Sequence, residues 1–103
     1  MLIVRSVNGV PIRLTEERWN HIQYRHPEIR GLRESVLETV SAPEVIQQGD
    51  FGELLAIRFY PRTPLTRKYL VVVYREISMD DGFVLTSYLA TRPSVRRITI
   101  WKS

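Results

Sequence analysis

The sequence contains no cysteine. That absence excludes a disulfide framework, a zinc–thiolate centre and a cysteine nucleophile together, and it leaves the redox compartment open. Long apolar runs are also missing: the longest, Tyr69 to Tyr74, is far too short to span a bilayer, and Arg5 interrupts the first apolar stretch, so the start does not read as a signal peptide. A cytoplasmic location with no membrane partner is the expectation. No Gly-rich phosphate loop, dinucleotide fingerprint or nucleophile elbow occurs, so no nucleotide or other organic cofactor is implied. Repeats, linkers and low-complexity segments are absent as well. A chain of 103 residues then reads as one domain, 1–103, with room for a single core.

Lysine is scarce in a basic chain. Of 15 cationic residues only Lys68 and Lys102 are lysines, and the rest are arginines, whose planar fork suits bidentate phosphate contacts. The net charge of +4 is uneven: residues 1–50 hold six arginines against seven acids, and residues 51–103 hold nine cations against four acids. A polyanion, most simply RNA, is the partner class this favours; the plainer reading is a small basic protein that is merely well solvated.

The rest of the chain is organised around Arg18 to Glu28, which contains both histidines, His21 and His26. Thr15 is placed to cap a helix, Glu16 and Glu17 favour its first turn, and Pro27 closes it by pushing His26 out of the α region. At about 100° per residue, Trp19, Ile22 and His26 share one face, and Glu17, His21, Tyr24 and Arg25 share the other. His26 therefore meets the rest of the domain at the helix C-terminus, where a general acid or base at a cleft wall could sit; the plainer reading is a core histidine capping the last carbonyls. The i, i+5 spacing of the two histidines does not put two ligands on one helical face, so no metal site is expected.

In chain order, Leu2 to Val7 and Val10 to Ile12 flank Asn8-Gly9 and read as a hairpin. Leu32, Val36, Leu37 and Val40 define a second amphipathic helix ended by Ala42-Pro43, and Val45-Ile46 reads as a short strand. From Glu53 the period changes to two. Leu54 to Tyr60, Tyr69 to Arg75, Phe83 to Leu89 and Arg97 to Trp101 read as strands, with Pro61 to Arg67 and Asp80-Asp81-Gly82 as turns. The expected architecture is α+β: an N-terminal hairpin and two helices packed on a mostly antiparallel four-stranded sheet. If Arg58, Tyr60, Thr86 and Tyr88 share the far face of that sheet, it offers cations, hydroxyls and aromatic rings to a single-stranded nucleic acid.

The run His-Ile-x-x-Arg-His-Pro-Glu (His21 to Glu28), the helix end Val-x-x-Pro-Glu-Val-Ile (Val40 to Ile46), Lys68 opening an apolar strand, and Val-Leu-Thr-Ser-Tyr (Val84 to Tyr88) together resemble the phage-type nuclease-like domains of the barnase, EndoU, colicin and RelE group, the BECR fold. The resemblance covers residues 14 to 90 and implies a metal-independent ribonuclease, often a toxin or effector. It marks the helical histidine, His21 or His26, and the strand residue Thr86. The hairpin and the arginine-rich C-terminal strand fall outside it. A small basic ribonuclease in a cytoplasm would need an antitoxin or immunity protein, so the resemblance makes one a candidate partner beside RNA.

Cutting RNA without a metal requires a base for the 2′-OH proton, an acid for the leaving 5′-oxygen and cations for the phosphorane. A histidine near neutrality supplies about 10² to 10⁴ in rate, and each oriented donor about 3 kcal/mol. His26 is the favoured acid or base, with a sheet residue or a carboxylate such as Glu28 as its partner, and His21 competes with it. Arg25, Arg58 and Lys68 are candidates for holding phosphate, Thr86 for orienting it, and Tyr60 and Tyr88 for stacking a base. The plainer readings are ion pairs for Arg58 with Glu53 or Glu76, cross-strand packing for the tyrosines, and a solvated edge for Arg96 and Arg97. The alternative function is a non-catalytic RNA-binding or protein-interaction module on the same fold.

Overall fold

The structure, a computed structural model, describes residues 1–103. Two short strands, β1 (Leu2–Arg5) and β2 (Pro11–Leu14), pair antiparallel around a turn in which Gly9 takes φ +81°. Only glycine enters that region freely, so the Asn-Gly dipeptide does mark the turn. The loop is wider than a two-residue hairpin: Arg5 pairs with Pro11, and the Ser6 hydroxyl donates to Glu76 at 2.5 Å.

Helix α1 (Glu16–Arg25) begins where expected. The Thr15 hydroxyl accepts the Arg18 N–H at 3.1 Å, and Glu16 and Glu17 occupy the first turn. His26 leaves the helical conformation at φ −132°, and Pro27–Ile29 follows as a single 3-10 turn. Helix α2 (Arg33–Ser41) ends at Ala42. Strand β3 (Val45–Gln48) leads to three long strands, β4 (Leu54–Thr63), β5 (Thr66–Ser78) and β6 (Asp81–Ala90), and β7 (Thr99–Lys102) ends the fold. Neither helix is long and apolar enough to cross a membrane.

All the strands form one sheet of order β1-β2-β6-β5-β4-β3-β7. Both helices lie on one face, where Trp19, Ile22, Ile29, Val36 and Val40 bury against Ala56, Leu70, Val72, Tyr74 and Val84. The opposite face has a smaller apolar cluster, Leu55, Ile57 and Val71, with Tyr69, Val73, Tyr88 and Ala90 packed around it.

The class α+β holds, but the expected four-stranded, mostly antiparallel sheet does not: the sheet has seven strands and is mixed. The hairpin is part of it, because β2 runs parallel to β6 with Ile12 opposite Gly82 and Arg13 opposite Phe83. Gly82 makes this approach possible, since a Cβ there would lie 2.5 Å from Ile12 Cδ1 and 2.6 Å from the Arg75 carbonyl oxygen. The Arg13 guanidinium closes the joint on Asp81 at 2.7 and 3.0 Å. At the other edge β7 pairs with β3 rather than with a long strand. Pro61 to Thr63, expected in a turn, extend β4, so the β4–β5 turn is confined to Pro64 and Leu65.

Candidate functional site

Beyond Phe83 the outer edge of β6 has no strand partner, because β2 is too short to follow it. Helix α1 and the turn after it lie along this gap. Arg18 donates from Nη1 to the Leu85 carbonyl at 3.4 Å, and His26, one turn past the buried Ile22, sits at the rim with its backbone N–H bonded to the Ile22 carbonyl. The His26 ring lies 5.9 Å from the Tyr88 ring, centroid to centroid, tilted by 36°. Glu28 Oε2 is 3.6 Å from His26 Nδ1, within ion-pair range for a protonated ring. Both kinds of neighbour expected for His26, a sheet residue and the carboxylate of Glu28, are therefore beside it.

A β-bulge sets which residues of β6 share that surface. Val73 pairs with Thr86 but Tyr74 pairs with Val84, so Leu85 is an extra residue without a partner. After it the alternation inverts. Val84, Ser87 and Leu89 face the helices, while Thr86 and Tyr88 face the opposite side with Val73 and Val71. Burial raises the Tyr88 phenol pKa, and the Arg97 guanidinium offsets part of that rise.

The segment Thr91–Ile98 crosses this second face on its way from β6 to β7. It is tied down by Gln47, whose Nε2 donates to the Ser94 carbonyl at 2.8 Å, and by Arg97, whose Nη1 donates to Asp50 Oδ1 at 3.2 Å and to the Gln48 carbonyl at 3.4 Å. Beneath it is a recess of about 130 Å³, floored by Leu55, Ile57 and Val71 and walled by Tyr88, Arg92 and Arg97. Arg92 is exposed and makes no hydrogen bond or ion pair within the chain.

The sequence candidates divide into two groups. His26, Thr86 and Tyr88 come together at the rim, and Arg25 is exposed next to His26 with no internal partner. His21 is turned away, in a shallow depression with Thr15, Glu17 and Arg18. Arg58 and Tyr60 do not share a face with Thr86 and Tyr88. The register puts them on the helix side, where Arg58 donates to the Ala42 carbonyl at 2.7 Å and Tyr60 donates to Glu38 at 2.6 Å. Lys68, opposite Tyr60, stays on that side as well and forms no ion pair. Burial, reinforced by the Glu38 acceptor, pushes the Tyr60 pKa up to about 12, so its hydroxyl serves the α2–β4 contact.

Sequence reasoning did not find Gln47, Arg92 and Arg97. One signal was available: Leu55, Ile57 and Phe59 alternate with Leu54, Ala56, Arg58 and Tyr60, so both faces of β4 needed cover, and only the segment after β6 was free to supply it. No three His, Asp or Glu side chains converge as a metal site would require. Comparison with models of known families, with curated proteins and with solved structures finds no match for this chain.

Proposed function

We propose that the chain is a metal-independent endoribonuclease whose reacting groups are His26 and Tyr88 at the free edge of β6. The observation that carries this reading is the packing of the two rings, 5.9 Å apart, with Glu28 behind the imidazole and Arg97 on the tyrosine side. Neutral His26 accepts the 2′-OH proton of a bound ribose. The 2′-oxygen attacks the adjacent phosphorus, the bond to the 5′-oxygen breaks, and the Tyr88 hydroxyl donates its proton to that oxygen. The products are a 2′,3′-cyclic phosphate and a 5′-hydroxyl. Glu28 stabilises the imidazolium that forms, and Arg92 and Arg97 offset charge on the phosphorane. The phenol is in its protonated, donor form at neutral pH, and the burial that raises its pKa leaves it so while weakening it as an acid.

The test is cleavage of a mixed-sequence single-stranded RNA in EDTA, with His26→Ala, Tyr88→Phe and His21→Ala compared at matched thermal stability. Products ending in cyclic phosphate are expected from the wild type and from His21→Ala. Losses of about 10² or more are expected for His26→Ala and for Tyr88→Phe. RNA that is retarded but left intact, equally by all four proteins, would sink the enzyme reading and leave a basic RNA-binding module.

A further inference from the structure

The recess under the Thr91–Ile98 segment is lined in part by Gln47, a side chain with one polar atom left unpaired. Gln47 is 3% exposed, and its Nε2 is used on the Ser94 carbonyl, but its Oε1 has no donor. Buried side-chain oxygens are nearly always paired, so one left unpaired beside a cavity calls for a donor from outside the chain, a water or a group on a ligand. The remainder of the recess is chemically mixed. Its floor is aliphatic, one wall is the Tyr88 ring, and the guanidinium groups at its rim can donate but not accept.

We infer that this recess binds a pyrimidine base, with Gln47 Oε1 accepting an N–H of the base and Arg92 or Arg97 donating to its ring carbonyl. Size decides between the base classes. A closed cavity of about 150 Å³ takes up one benzene ring, so a recess of about 130 Å³ that is open on one side accommodates a single six-membered ring better than a fused purine, part of which would stay outside. Polarity fits as well. Cytosine presents its N4 amino group as a donor, and uracil presents N3–H, beside carbonyl acceptors in both. Ala90 is the smallest side chain of the lining and leaves the room for the ring.

Tyr88 is shared by the recess and by the His26 contact, so a base seated there directs its 3′ phosphodiester to the reacting groups. The consequence for cleavage, which rests on the ribonuclease reading, is a cut on the 3′ side of pyrimidines. The recess itself can be tested without any cleavage.

The experiment is titration of the ¹⁵N-labelled protein with each of the four 3′-nucleoside monophosphates, following the Gln47 side-chain amide together with the backbone amides of Ser94 and Tyr88. Cytidine and uridine monophosphates are expected to bind at least tenfold more tightly than the purine nucleotides and to shift all three. Gln47→Leu removes the acceptor, and Ala90→Leu fills the recess without touching a polar group; each should lower pyrimidine affinity at least tenfold. If Gln47→Leu fails to fold, Ala90→Leu decides. Equal affinity for all four nucleotides, or pyrimidine binding unaffected by Ala90→Leu, overturns the inference. Selective pyrimidine binding by a wild type that cuts no RNA removes the ribonuclease reading and keeps the recess. Cleavage after all four bases alike, with no selectivity among the monophosphates, does the reverse.

Discussion

Tyr60, Tyr74 and Tyr88 each bury a ring, and their hydroxyls have three different fates. The Tyr60 hydroxyl bonds Glu38 at 2.6 Å and also meets the Ser35 carbonyl and Thr39 at 3.2 Å, so Tyr60→Phe should lower the unfolding free energy by about 1 to 2 kcal/mol in urea. The Tyr74 hydroxyl is fully buried with no partner, so Tyr74→Phe should be neutral or stabilising by up to about 1 kcal/mol; a loss above 1 kcal/mol would mean a bound water holds it. The pH dependence follows in sign. Folding raises the Tyr60 pKa from 10.0 to about 12, chiefly by burial, so the folded state holds this proton more tightly than the unfolded chain. Stability is therefore full below pH 10 and falls as pH rises toward 12, and Tyr60→Phe should flatten part of that fall. The place of His26 was legible in advance, because helical period and Pro27 together dictate it. Gln47 was not legible, since nothing local distinguishes a glutamine under a crossing segment from one in water.

At the level of elements, caps and periods were readable and parity was not. Thr15 does cap α1, and Thr15→Ala should cost about 1 kcal/mol and speed amide exchange in the helix that carries His26. The β4–β5 turn stores strain of its own. Thr66 is β-branched yet sits at φ 73°, so Thr66→Gly should raise stability by about 1 kcal/mol, measured by urea unfolding. Strict alternation from Phe83 to Leu89 predicts one set of faces, and the extra residue Leu85 gives the other. Bulges depend on the partner strand and on what lies beside the edge, here Arg18 reaching the Leu85 carbonyl, so a single-strand pattern does not contain them.

Across the whole molecule, the long strands were found from their period, but their order was not, because the parallel β2–β6 joint and the β3–β7 pair link segments far apart in sequence. The parallel joint has a direct test: Gly82→Ala should destabilise by about 1 to 3 kcal/mol or more, since the new methyl group meets backbone as well as Ile12. The charge asymmetry points to the same end of the chain as the recess. If the rim arginines hold phosphate, affinity for single-stranded RNA should fall with log salt at a slope of about −0.7 per phosphate contact, and Arg92→Ala should reduce the slope by about that amount. The bulge at Leu85 also has a meaning in heredity. Because Leu85 is the surplus residue of β6, an in-frame loss of its codon would set Val84 next to Thr86 in plain alternation and leave Thr86 and Tyr88 on their present face, so the gene can shed that one codon without turning the site over.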